Sequence, residues 1–384
     1  MRGIINGKII LENTILENHI LLFDKKIIDI LPITAVSNLG DIEIINANGE
    51  FVSPGFIDIH IHGANNYDAM DGTPEALNVI SKTICKSGVT SFLPATMTMD
   101  KKSIYTALDN IRNSMISFLP GSEIIGAHLE GPFINDKYKG AQQSKHIIKP
   151  SFKFIENYID IIKIITLAPE VDNAKDFIKH ITDNYNTKIS IGHSAASYEE
   201  AMEGINVGIT GCTHTFNAMP PLLNRTPSIL GAAFNSDIYC ELIADTIHVS
   251  PHMFSILLKI KGPEKIILIT DSMRAAYSTN EISELGGQTV YLKDNSARLK
   301  DGTLAGSILT LNNAVKNFLN NTSASINDVI KMVTINPATY LGLQDRGNLK
   351  KGSFANITIF NKDIDILHTI VKGKSVFYKN EDSH

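Results

Sequence analysis

The sequence predicts an α/β protein: a TIM-type (β/α)8 barrel with a small β-sandwich domain built from both chain ends. Three observations point there. Both ends are rich in short strand-like runs, while the middle is not. The middle alternates about eight apolar strand-like runs with helix-like segments. Polar residues of chemically useful types cluster where those apolar runs end.

The first fifty residues contain "GIINGKII", "HILLFD", "KIIDILP" and "EIINA", separated by turn residues. Runs of this length between turn signals read as strands. The last forty residues look similar, with "GNLKKGSFANITIF" and then "IDILHTIVKGKSVFY". The two ends are therefore expected to pair into one small domain, residues 1–53 with 344–384, and the intervening residues 54–343 are expected to form the barrel.

Within the middle the strand-like runs are "GFIDIHIHG", "TSFLPAT", "EIIGAHLEGPF", "IIKIITLAPE", "KISIGHS", "GCTHTFNAM", "YCELIADTIHV" and "KIILITDS". Segments such as "PEALNVISKTICKSG" and "SYEEAMEGINVG" read as helices between them. About eight strands alternating with helices fit a barrel with a parallel sheet.

Composition excludes several function classes. The 384 residues are 43% hydrophobic and 20% charged, ordinary for a globular chain with a large core. A net charge of -5 offers no basic footprint for nucleic acid. No apolar run approaches the roughly 18 residues that a membrane helix needs. The N-terminal stretch breaks its apolar runs with Asn, Lys and Glu, unlike a signal peptide. Cys85, Cys212 and Cys240 are scattered and odd in number, so they form neither a zinc ribbon nor a disulfide framework. The expectation is a cytoplasmic enzyme.

In such a barrel the chemistry sits at the C-terminal ends of the strands. The candidates there are His60 and His62, then His128 and Glu130, His193, His214, His248 and Asp271. Alternate strand residues share a face, so His60 and His62 can point into one site. Twelve histidines in this length give about 0.4 H-x-H pairs by chance, so the pair alone is weak. The whole set at successive strand ends is much harder to explain as structural. Imidazole with carboxylate suits Zn or Fe(II). Other motifs fall away. Asp68 and Asp71 read as loop residues, Ser194 lacks a G-x-S-x-G elbow, Gly286-Gly287 reads as a turn, and "LKDGTLAGS" reads as a hairpin turn at Asp301-Gly302.

The motifs "PGFIDIHIHG", "GAHLEGPFIN", "KGAQ", "GHS", "THTFNAM", "IADTIHV", "TDSMRA", "LAGSILTL" and "NPATYLGL" occur in one order along the chain. In that order they resemble the amidohydrolase superfamily, and within it the N-acetylglucosamine-6-phosphate deacetylase family. The resemblance covers nearly the whole chain.

The resemblance implies roles. Glu130, His193 and His214 correspond to the ligands of a firmly held metal. His60 and His62 correspond to ligands of a second metal, with Glu130 bridging. One or two divalent metals per subunit are thus implied, Zn or Fe(II). Asp271 corresponds to the catalytic acid/base. Ala141, Asn217, Ala218, Arg225, Asp245, His248, Leu304, Ala305 and Gly306 match positions that hold the sugar phosphate. Gln142 stands where some members carry a histidine that polarises the amide carbonyl. In the family the arginine matching Arg225 can reach a neighbouring subunit, which implies a homodimer. The implied substrate is a phosphorylated amino sugar, N-acetylglucosamine 6-phosphate, hydrolysed to glucosamine 6-phosphate and acetate in amino-sugar catabolism.

Alternatives stay open at this point. The galactosamine epimer differs at one hydroxyl that no residue identifies. Another amidohydrolase shares the barrel, although many of those bridge their metals with a carboxylated lysine where Glu130 stands here. A barrel kept only for binding would lose a ligand or the Asp, and this chain keeps all of them.

Overall fold

The computed structural model describes residues 1–38, 41–117 and 119–379. All eight predicted runs are strands, in the predicted order: β1 Phe56–Ile61, β2 Val89–Pro94, β3 Ala127–Glu130, β4 Ile162–Leu167, β5 Lys188–Ile191, β6 Ile209–Cys212, β7 Tyr239–Ile243 and β8 Ile266–Ile269. β3 to β8 form one parallel sheet with each strand beside its sequence neighbour. β1 and β2 pair in parallel in a second piece. The pieces meet at parallel bridges, Ala95 with His128 and Ile61 with Ser272. The sheet therefore curls until its last strand lies beside its first.

The strands read as near-continuous apolar runs because helices cover their outer face. The helix Pro74–Ile84 starts at Thr73, whose side chain accepts the N–H of Ala76, with Pro74 in the first turn. The helix Tyr198–Asn206 opens with a capping box, Ser197 exchanging hydrogen bonds with Glu200. Both match predicted helices. One large apolar cluster joins the strands to these helices.

The chain ends meet at one strand pair: Phe51–Pro54 lies antiparallel to Ile357–Phe360. That contact belongs to a six-stranded sheet made from both ends. A separate four-stranded sheet comes from Arg2–Ile5, His19–Phe23, Ile27–Pro32 and Glu43–Asn46 alone. One apolar cluster draws on both, including Ile4, Leu21, Phe23, Val52, Ile357 and Ile370.

An antiparallel three-stranded unit, Ile282–Leu285, Gln288–Lys293 and Ser296–Arg298, follows β8. Gly286 and Gly287 make its first turn, at φ of 56° and 78°. Two adjacent left-handed residues suit the twist of a tight hairpin, which confirms the pair as a turn. The chain also turns at Asp301-Gly302, where the Gly302 N–H donates to Leu299 O. Among the described residues no helix is long and apolar enough to cross a membrane.

Candidate metal centre

β1 carries His60, and His62 follows its last residue; both are buried. β3 ends on Glu130. His193, His214 and Asp271 come two residues after β5, β6 and β8, and each has a positive φ, 49°, 29° and 47°. Non-glycine residues rarely adopt that conformation, and it costs on the order of 1–3 kcal/mol each. Here it turns each side chain off its strand and toward the sheet axis. Backbone hydrogen bonds hold the turn at Asp271: its N–H donates to His60 O, and the Ser307 N–H donates to Asp271 O, both at 2.9 Å.

These turns bring six side chains together. Glu130 Oε1 lies 3.1 Å from His193 Nε2 and 3.2 Å from His214 Nε2. Those two ring nitrogens are 3.1 Å apart. Glu130 Oε2 lies 3.3 Å from His62 Nε2, and Glu130 Oε1 lies 3.5 Å from His60 Nε2. Asp271 Oδ1 faces the same pair from the opposite side. The donors thus form two groups that share Glu130: His60, His62 and Glu130, and Glu130, His193 and His214.

The ring nitrogens show what this arrangement suits. His193 Nδ1 is 2.9 Å from the carbonyl of Tyr138, and a carbonyl only accepts, so Nδ1 carries the proton. His193 Nε2 is then the ring nitrogen that faces Glu130 and His214. His60 Nδ1 donates to Glu241 at 3.1 Å, and its buried Nε2 has no hydrogen-bond partner. Ring nitrogens and carboxylate oxygens therefore converge, which suits a shared cation. The electrostatics agree. Burial works against Glu130's charge, yet His60, His193 and His214 hold its carboxyl well below the usual range. Burial also opposes the charge on Asp271, but His60 and His62 draw it down to about 2. Burial disfavours charge on the two imidazoles as well, and the same carboxylates overcome it, with His62 raised to about 10. The site holds its carboxylates ionised and attracts positive charge. Imidazole and carboxylate donors of this kind fit a divalent metal such as Zn or Fe(II).

His128 is different. Its Nδ1 donates to Ile59 O at 3.0 Å, and its Nε2 lies 2.7 Å from Thr166 Oγ1. Burial and the neighbouring His60 hold it neutral, well below the usual imidazole range. Both ring nitrogens are occupied, so it braces the sheet beneath the donors.

A cavity of about 340 Å3 opens above the cluster. Ala141, Gln142, Asn217, Ala218, His248, Leu304 and Gly306 line it, as do His62, Glu130, His193, His214 and Asp271. Gln142 Oε1 accepts the Thr98 N–H at 2.7 Å, which aims its amide nitrogen toward His193, 3.4 Å away. Asp245 stands behind the lining and holds His248, with Oδ2 2.6 Å from His248 Nδ1. Ala305 is fully buried behind Leu304 and Gly306. Arg225 is exposed on the connection after β6 and is not among the lining residues. The backbone N–H groups of Asn217 and Ala218 differ. The Asn217 N–H donates to His214 O at 2.9 Å, so it closes its own turn. The Ala218 N–H remains.

Sequence reasoning passed over several residues. Lys137, Tyr138, Met97, Leu285 and Thr303 also line the cavity. Glu241 and Glu170 hold the donors from behind. Glu170 accepts from Ser194 Oγ at 2.7 Å and from the Ala195 N–H at 2.6 Å, next to His193. A signal for Glu241 existed: a carboxylate in the middle of the apolar run "YCELIA". A buried charge is rare unless it is paired.

The amidohydrolase family model matches residues 51–376. The chain belongs to the amidohydrolase family. It is 38% identical over 338 residues to an N-acetylglucosamine-6-phosphate deacetylase of Bacillus subtilis, covering 85% of each chain. It is 30% identical to an N-acetylgalactosamine-6-phosphate deacetylase of Escherichia coli O157:H7, over 87% of this chain and 89% of the relative. A crystal structure of N-acetylglucosamine-6-phosphate deacetylase from Pasteurella multocida superposes with a TM-score of 0.93 at 29% identity, covering 97% of this chain and 99% of that one. This amidohydrolase spans nearly the full length of the proteins it resembles.

Proposed function

We propose that this amidohydrolase removes the acetyl group of N-acetylglucosamine 6-phosphate, releasing acetate and glucosamine 6-phosphate in amino-sugar catabolism. The observation that carries the reading is Glu130 shared by two donor groups, with Asp271 across from it at the floor of a cavity of sugar size. Glu130, His193 and His214 would hold one divalent metal, Zn or Fe(II), and His60, His62 and Glu130 would hold a second. A metal in such a site brings the pKa of water toward ~7 and polarises a carbonyl.

The chain's own residues do the rest. Asp271 accepts the proton of the attacking water and returns it to the leaving nitrogen. That second transfer is essential, because a neutral amine departs far more readily than an amide anion. Gln142, oriented by Thr98, offers an uncharged N–H to the carbonyl oxygen. The phosphate is held by the Ala218 N–H, by His248 steadied on Asp245, and by Arg225. The guanidinium of Arg225 matches phosphate oxygens in a planar fork. Its exposed place on the loop after β6 suits delivery into the cavity of a second subunit in a homodimer.

In the same reading the curled sheet is a complete (β/α)8 barrel over residues 54–343. The two end sheets then form a β-sandwich from 1–53 and 344–384, supported by their shared apolar cluster. The enzyme works in the cytoplasm.

The Escherichia coli relative supports a second reading in which the substrate is N-acetylgalactosamine 6-phosphate. The test is acetate release from both epimers, alongside metal content per subunit on protein purified without chelator. Faster release from the glucosamine compound is expected. Faster release from the galactosamine compound moves the assignment to the epimer, and no release from either overturns both readings.

A further inference from the structure

Glu241 lies in the middle of β7 and is 2% exposed. It sits on the inner side of the sheet, behind the donors and away from the cavity. A single oxygen, Oε2, receives two protons: Nδ1–H of His60 at 3.1 Å and the backbone N–H of His214 at 3.2 Å. These two histidines belong to different donor groups. Glu130 joins the groups from the cavity side, and Glu241 joins them from behind.

The three residues His60, His128 and Glu241 also lie close enough to resemble a metal site of their own. The protons exclude that. His128 has both ring nitrogens engaged, and His60 Nδ1 already carries a hydrogen toward Glu241. The carboxylate therefore acts on the imidazole.

We propose that Glu241 is a positioning residue that locks His60 as the Nδ1–H tautomer and so leaves its Nε2 free to ligate. This rests on the paired-metal reading given above. If the His60 ring flipped, a C–H would face Glu241 and a buried carboxylate would lose a partner. Leaving a buried polar group unpaired costs about 1–3 kcal/mol, more when it is charged. The flip is therefore suppressed, and the lone pair stays aimed between Glu130 and Asp271, 3.5 Å and 3.6 Å away. Carboxylates behind ligating histidines fix tautomer and ring angle, and losing one typically weakens metal binding by about 10–100-fold. The bond to the His214 N–H has a second effect. It steadies a left-handed turn and so couples the placement of the two groups.

The test uses metal-free wild type, Glu241→Leu and Glu241→Gln, each titrated with Zn2+ by calorimetry. Wild type should take two equivalents. Glu241→Leu should bind one of them about 10–100-fold more weakly and the other within a few-fold of wild type. Glu241→Gln keeps an acceptor oxygen and should restore both to within a few-fold. Equal affinities for both equivalents in Glu241→Leu overturn the proposal. So does equal loss of both, and so does a failure of Glu241→Gln to rescue. Wild type taking one equivalent overturns the paired-metal reading, and this assignment with it. A second measurement does not need the leucine variant to fold. Histidine-selective 15N–1H correlation on Zn2+-loaded wild type should show a His60 Nδ1–H, and a His60 Nε2–H would overturn the proposal.

Discussion

Asp271 Oδ1 lies 3.2 Å from His62 Nε2, although 209 positions separate them in the chain. Backbone pairing sets that distance: the Asp271 N–H donates to His60 O, and the His62 N–H donates to Ser272 O. The last strand is stitched to the first, so the carboxylate faces the H-x-H pair across the position Glu130 shares. Asp271→Asn keeps the shape and removes the proton acceptor. It should fold, retain metal, and lose turnover by about 10²–10⁴-fold. Acetate release together with metal analysis checks this, and near-normal turnover would refute the role of Asp271.

Chelation should abolish acetate release, and Zn2+ or Fe(II) should restore it. His60→Gln with His62→Gln should lower metal content by about one equivalent per subunit, because Glu130, His193 and His214 remain intact. A double variant that still holds two equivalents would show that the pair does not ligate.

Arg225 is exposed and lies outside the cavity lining. Arg225→Ala should raise KM for the phosphorylated substrate with a smaller fall in kcat, since it removes remote binding. Steady-state kinetics read the two separately. A fall in kcat alone would mean that phosphate binding positions the amide.

Gly131 follows Glu130 and has a φ of 67°. A Cβ there would overlap Thr98 Oγ1 and also sit in a conformation that L residues rarely adopt. Gly131→Ala should destabilise the protein by about 1–3 kcal/mol and displace the shared carboxylate. Thermal unfolding and metal content should both fall. Unchanged metal content would separate the backbone from the donor set.

His368, on the strand Ile366–Val371, is buried with Nε2 2.7 Å from Ser375 Oγ. Burial, with the charge of Arg2, lowers its pKa to about 4. The unfolded chain takes up this proton near the ordinary ~6.5, and the folded chain only near 4. Stability from this residue is therefore full above about 6.5 and is lost as pH falls toward 4, by at most ~1.4 kcal/mol per pH unit. His368→Gln should flatten that slope. Urea midpoints at about pH 7 and about pH 5 measure it, and an unchanged slope would place the acid sensitivity elsewhere.

The sequence by itself determined the strands and pointed to the candidate donors. Eight apolar runs with helical segments between them are a local pattern, and local pattern decides which segments become strands or helices. His60 and His62 were legible as a pair because alternation along a strand puts both on one face. The other donors were legible as polar residues closing apolar runs, and the family resemblance sorted them into roles.

Only the tertiary structure decided how those residues meet. Nothing local distinguishes His128 from His193: both are histidines near strand ends. The first spends its ring nitrogens on Ile59 and Thr166, while the second spends one on Tyr138 and turns the other to Glu130. Glu241 touches His60 across 181 residues and was invisible as a partner until the sheet curled. The Asn217 N–H closes its own turn on His214, which spacing alone does not reveal. The physical reason is common to all three. Hydrogen bonding and burial depend on which groups arrive from distant strands, and that is set by the closure of the sheet, where Ser272 meets Ile61.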